Sequence, residues 1–171
     1  MRHPKLKDIE ALLIDVDGVL TDGTIIYNDN GSEIKAFNVK DGLGIRLLGE
    51  SGIKICIVTG RRSEALYHRC RNLGIDLIFD NVKDKAAVLK EIEKKTGIIA
   101  EKMAAVGDDL TDLPLMNRVG LSIAVSNAHE LVLSKADLVT TAPGGEGAVR
   151  EVCESILKAK ALWEHMLKGF S

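Results

Sequence analysis

Residues 11–23 read Ala-Leu-Leu-Ile-Asp-Val-Asp-Gly-Val-Leu-Thr-Asp-Gly. Four apolar residues ending in acid are the pattern of a strand buried on both faces, whose carboxyl end carries Asp15 out of the core. Asp17 follows two residues on, and Gly18 lets the backbone leave the strand direction sharply. Outward from this stretch, β-prone runs recur at 53–58, 77–79, 103–106, 121–125 and 138–140. Helical patterns separate most of them, at 41–50, 63–73, 83–95 and 111–119, with Gly52, Gly74, Gly97 and Gly120 placed where helices close. Such alternation predicts βαβ units, right-handed crossovers and an α/β fold: a doubly wound parallel sheet with helices on both faces.

Two segments depart from the alternation. Residues 24–27 and 33–37 are β-prone and flank Asn28-Asp-Asn-Gly31, a tight-reversal signal, so 24–39 is expected to project as a β-hairpin right after the first strand. Val149, Val152, Ile156, Trp163 and Met166 recur at helical steps, which predicts one amphipathic helix over 148–168. No repeat and no insertion long enough for a second domain interrupts the chain, so 1–171 is read as a single domain. Its site must be roofed by something small.

The composition, 46% hydrophobic and 28% charged with 3 Pro, belongs to a folded domain rather than a disordered chain. A net charge of -2 provides no global basic field, so no nucleic-acid partner is expected, although four of the eight arginines fall within 61–71. No stretch approaches the ~20 apolar residues of a membrane span, and the first residues lack the apolar run of a secretory leader. Cys56, Cys70 and Cys153 are odd in number and embedded in apolar patterns, as small buried hydrophobes of a reducing compartment, and a cytoplasmic location is expected. His3, His68, His129 and His165 show no metal-ligand pairing.

In an open α/β sheet, ligands bind beyond the carboxyl ends of the strands. The polar residues expected there are Asp15 and Asp17, Thr59-Gly60-Arg61, Lys85 at the start of the third helix, and Asp108-Asp109. One isolated Asp at a strand end is ordinarily a cap or turn residue. Several such groups in this order satisfy what phosphoryl transfer asks for: a nucleophile, a proton donor for the leaving alcohol, positive charge and a hard metal ion. Asp15 can attack phosphorus, Asp17 can protonate the leaving oxygen, and Thr59 and Lys85 can hold phosphoryl oxygens. Asp15 and Asp108 can hold Mg2+.

The segments DVDGVLTDG, IVTGRR, Lys85 and GDDLTD, in this order, resemble the four signature motifs of the haloacid dehalogenase superfamily of phosphatases. The resemblance implies a HAD-like Rossmannoid fold, a phosphoaspartate at Asp15 and acid/base work by Asp17. It also implies Mg2+ held by Asp15, the backbone carbonyl of Asp17 and Asp108, with Asp109 and Asp112 orienting these ligands. Further segments, Phe37 to Arg46, Thr59 to Arg71 and Gly144 to Glu151, make nearly the whole chain similar to the 3-deoxy-D-manno-octulosonate 8-phosphate phosphatase family, whose members are capless enzymes of lipopolysaccharide biosynthesis. That likeness implies a small acidic sugar phosphate as substrate, touched by Asp17, Asn38, Val39, Lys40, Asp41, Gly42, Arg46, Thr59, Gly60, Arg61, Arg69 and Lys85. It implies a homotetramer in which the hairpin and a neighbour's glycine-rich tail help to close the site. Lys40, where some relatives have Arg, and Glu146 within the glycine run depart from the family pattern.

Two alternatives stand beside this reading. One is a phosphatase of a sialic-type nonulosonate 9-phosphate, with unchanged mechanism. The other is a non-enzyme, a phospho-acceptor receiver domain, which uses the same residue types in a different order along its strands.

Overall fold

The computed structural model describes residues 1–170. Along the chain run β1 (Ala11–Ile14), β2 (Ile26–Tyr27), β3 (Glu33–Ile34), α1 (Val39–Glu50), β4 (Lys54–Val58), α2 (Glu64–Leu73), β5 (Leu77–Phe79), α3 (Leu89–Thr96), β6 (Met103–Gly107), α4 (Leu113–Met116), β7 (Leu121–Ala124), α5 (Glu130–Lys135), β8 (Leu138–Val139), α6 (Ala148–Ala159) and α7 (Trp163–Leu167). Six strands form one sheet in the order β5-β4-β1-β6-β7-β8, with every neighbouring pair parallel. β2 and β3 form a separate antiparallel ribbon.

Renumbered within the main sheet alone, this is the doubly wound 3-2-1-4-5-6 order, which sets the chain apart from receiver domains with their 2-1-3-4-5 sheet. Strand order reverses around β1, flanked by β4 on one side and β6 on the other. A crevice opens there because the connections leaving β1 and β6 diverge.

β1 is buried at all four positions, as its uninterrupted apolar run requires. Ile14, Ile57, Leu121 and Ile123 are fully buried in the sheet, and Leu48, Val152 and Ile156 cover it from α1 and α6. Each such side chain contributes ~1.5–3 kcal/mol by leaving water. Gly74 closes α2 at φ 71, a left-handed backbone that costs glycine little.

Several boundaries differ from the sequence expectation. The third helix starts at Leu89, not at 83, because residues 84–88 form turns in which the Asp84 carboxylate accepts from the Ala86 amide at 3.0 Å. The helix expected over 111–119 shortens to α4, and the chain holds an unforeseen α5, whose first turn His129 caps by accepting from the Leu131 amide at 3.1 Å. The single helix expected over 148–168 is two helices, α6 and α7, divided where Ala161 takes a left-handed φ of 57. The hairpin of 24–39 is present, with only two residues in each paired strand before α1 begins.

Candidate active site

Asp15, Thr59 and Asp108 each stand one residue past the end of a strand, on β1, β4 and β6. These strands are adjacent and in register, Ile14 pairing with both Ile57 and Val106, so the three side chains emerge side by side at the switch point. Together with Asp17, Gly60, Arg61, Lys85 and Asp109 they line one cleft of about 410 Å3.

Lys85 reaches the cleft floor from the turns ahead of α3. Its Nζ donates to Asp15 Oδ1 at 2.5 Å and to Asp112 Oδ1 at 2.6 Å, and all three side chains are at least 92% buried. A buried ammonium persists only when paired in this way. Asp112 Oδ2 accepts from the amides of Asp108 and Asp109 at 3.0 and 3.2 Å, so both its oxygens are occupied and it orients the loop after β6. Thr59 is buried, and its hydroxyl accepts from the Arg61 amide at 3.3 Å. It sits in the loop between β4 and α2.

Carboxylate oxygens of Asp15, Asp108 and Asp112 lie within 4.8 Å of one another. Burial first, and then the negative charge of Asp112, pushes the Asp15 carboxyl up to about 6 against the pull of Lys85. Burial and the carboxylates of Asp15, Asp112 and Asp109 push Asp108 up to about 8. A compact set of hard oxygens with more negative charge than Lys85 can neutralise fits a small divalent cation such as Mg2+. Gly18 makes room for it: a Cβ there would lie 2.0 Å from Asp108 Oδ2, and its φ is 93.

The hairpin contributes a second group of charges that sequence reasoning passed over. Lys35 pairs with Asp17 Oδ1 and lies 2.6 Å from Glu33 Oε1. Glu33 Oε2 in turn accepts from Arg61 Nη2 at 2.8 Å, and the same nitrogen donates to the Tyr27 hydroxyl at 3.0 Å. The signal was in the strand period: Glu33 and Lys35, two apart, share one face of an extended ribbon.

The remaining expected substrate contacts do not line this cleft. Val39, Gly42, Arg46 and Arg69 line a separate depression of about 200 Å3. Asn38 caps α1 by accepting from the Lys40 amide at 2.8 Å and donates to the Gly145 carbonyl at 3.2 Å, while Lys40 itself is exposed. Asp41 is buried, its carboxylate accepting from the amides of Arg150 at 2.7 Å and Gly147 at 3.3 Å.

Residues 75–151 match the family model of haloacid dehalogenase-like hydrolases. The chain is 47% identical over 156 residues to the 3-deoxy-D-manno-octulosonate 8-phosphate phosphatase of Escherichia coli, covering 91% of this chain and 83% of that protein. Among solved structures it is similar to the Moraxella catarrhalis 3-deoxy-D-manno-octulosonate 8-phosphate phosphatase in complex with magnesium ion, phosphate ion and KDO: TM-score 0.94 and 45% identity, with 98% and 96% of the two chains covered. It is also similar to the cobalt-bound deoxy-D-mannose-octulosonate 8-phosphate phosphatase of Haemophilus influenzae, with TM-score 0.93, 40% identity, and 97% and 98% covered.

Proposed function

The chain belongs to the 3-deoxy-D-manno-octulosonate 8-phosphate phosphatases among the haloacid dehalogenase-like hydrolases, and from that premise we propose how its own residues carry the reaction. It is a Mg2+-dependent phosphoric monoester hydrolase that turns 3-deoxy-D-manno-octulosonate 8-phosphate into the free sugar acid and inorganic phosphate. The observation that carries the assignment of roles is the convergence of Asp15, Asp17, Thr59, Lys85 and Asp108 on one cleft.

Asp15, Asp108 and the backbone carbonyl of Asp17 hold the metal. When bound, Mg2+ offsets the charge on the phosphoryl oxygens and on the nucleophile. Asp15 attacks phosphorus as the bond to the sugar oxygen breaks, and Asp17 gives that oxygen its proton. Asp17 then takes a proton from the water that cleaves the phosphoaspartate. Thr59 and Lys85 hold the transferring oxygens, while Asp109 and Asp112 keep Asp108 aligned. Arg61, at the cleft rim beside Gly60, binds the sugar acid.

We assign the exposed Val39, Lys40 and Arg46 and the half-buried Arg69 to the cleft of a neighbouring copy in a homotetramer, with Asn38, Asp41 and Gly42 holding that run in place from within the chain. Supporting this are their absence from the lining of the chain's own cleft and the apolar side chains left open on the hairpin and at the start of α1, with Tyr27 59% and Val39 78% exposed. No helix among the described residues is long and apolar enough to cross a membrane. We place the reaction in the cytoplasm, in lipopolysaccharide biosynthesis; three buried free cysteines accord with a reducing compartment.

Phosphate release from sugar phosphates, with Mg2+ and then with chelator, tests the reading. Release should favour the eight-carbon acid over a nonulosonate 9-phosphate and stop on chelation, and Asp15→Asn should abolish it in a folded protein. Light scattering tests the tetramer.

A further inference from the structure

Asp17 Oδ2 and Arg61 Nε are buried without a hydrogen-bond partner among the described residues, and they stand 3.9 Å apart. The other Asp17 oxygen is held by Lys35. That lysine comes from the hairpin ribbon, where its neighbour Ile34 is 49% exposed, yet its own side chain is only 3% exposed. An ammonium shut from water costs several kcal/mol unless carboxylates compensate it, so this conformation exists for Asp17 and Glu33. Glu33, 2.6 Å from Lys35 and 2.8 Å from Arg61, closes the chain of alternating charge and fixes the ammonium from behind.

We propose that Lys35 is the positioning residue for Asp17: by engaging Oδ1 it presents Oδ2, and no other oxygen of that carboxyl, to the reacting groups. An oxygen brought within hydrogen-bond reach of both Oδ2 and Arg61 Nε, neither of which has a partner among the described residues, accepts from Nε and exchanges a proton with Oδ2. In the first step the bond between phosphorus and the sugar oxygen breaks as that between phosphorus and Asp15 forms, and the sugar oxygen takes the Oδ2 proton. In the second, water attacks phosphorus, returns a proton to Oδ2, and the Asp15 carboxylate leaves. The inference rests on Asp17 being the acid and base, as assigned above.

Leaving-group dependence separates positioning from mere support of the hairpin. A sugar alkoxide needs a proton to leave, whereas 4-nitrophenolate does not. The parameter to read is kcat/KM, because it ends at phosphoaspartate formation and excludes the hydrolysis step common to both substrates. In the full chain with Mg2+, Lys35→Met should lower kcat/KM for 3-deoxy-D-manno-octulosonate 8-phosphate about 100-fold but that for 4-nitrophenyl phosphate less than about fivefold. Lys35→Gln, which keeps a neutral N–H donor for Oδ1 and serves if the Met variant fails to fold, should lose about tenfold on the sugar phosphate alone. Asp17→Asn is the control. If it separates the two substrates while the folded Lys35 variants lose equally on both, or lose nothing, the role of Lys35 is overturned. If Asp17→Asn itself fails to separate them, the acid role of Asp17 falls, and the positioning role falls with it.

Discussion

Lys85 Nζ lies 2.5 Å from Oδ1 of Asp15, both side chains closed off from solvent at the carboxyl end of β1. The contact binds the third motif to the first across 70 positions of sequence, and it holds the nucleophile in place before substrate arrives. Removing the cation alone strands two carboxylates, Asp15 and Asp112, in a site that already carries excess negative charge. Lys85→Met is therefore expected to destabilise the metal-free protein by about 3–5 kcal/mol in urea titration and to reduce kcat to background. An active variant of native stability would exclude Lys85 from both roles.

Metal affinity must depend on pH, because the cation displaces protons. Asp15 is raised to about 6 and Asp108 to about 8, both above the ordinary carboxyl value of 3.8. A raised carboxyl stabilises the fold fully below its unfolded value, and that stabilisation is lost as pH climbs through the folded value. The metal-free protein should therefore lose stability between roughly pH 4 and pH 8 through these two groups. Mg2+ reverses the loss, so the rise in Tm that it produces should be larger at about pH 8.5 than at about pH 5.5. Thermal melts with Mg2+ and with chelator at the two pH values check this; a Mg2+ effect that shrinks with rising pH would refute the carboxylate site.

Gly18 is confined by two independent constraints, its φ of 93 and the 2.0 Å separation between a would-be Cβ and Asp108 Oδ2. Gly18→Ala pushes against the metal ligand itself, so the loss should be in metal binding more than in folding. Calorimetric titration with Mg2+ should show affinity falling at least about tenfold, while the strained backbone costs about 1–3 kcal/mol of stability.

Most of the sheet was legible because burial on both faces leaves an unbroken apolar run, and the acids that end β1 and β6 interrupt such runs visibly. What escaped has specific causes. The apolar phase from Val149 to Met166 continues through Ala161, and periodicity is blind to one left-handed residue that is not glycine. Lys85 was recognised by its place in the motif order, although it sits in turns and not on a helix. The strand period puts Glu33 and Lys35 on one face, but the pairing of Lys35 with Asp17 also depends on where the hairpin sits against the loop after β1, which local sequence does not encode. Asn38 to Gly42 were read as ligand contacts from resemblance alone, and sequence gave no sign that the Asp41 carboxylate would be taken up by α6.

Asp41 thereby becomes a test of what that run does within one chain. Its side chain is 1% exposed in the first turn of α1, and it accepts from the Arg150 and Gly147 amides at the start of α6. It caps one helix from another and fixes the glycine-rich segment before α6 against α1. Burial raises its carboxyl above the ordinary value in spite of these amides. Asp41→Ala leaves the two amides unsatisfied in a site closed to water, a loss of the kind measured for helix caps, about 1–2 kcal/mol. Urea titration of the full chain should show that decrease, with Mg2+ affinity within about threefold of the wild type because no metal ligand is touched. A variant of unchanged stability would mean that α1 and α6 are held by their apolar faces alone, and that the Asp41 carboxylate is free for another partner.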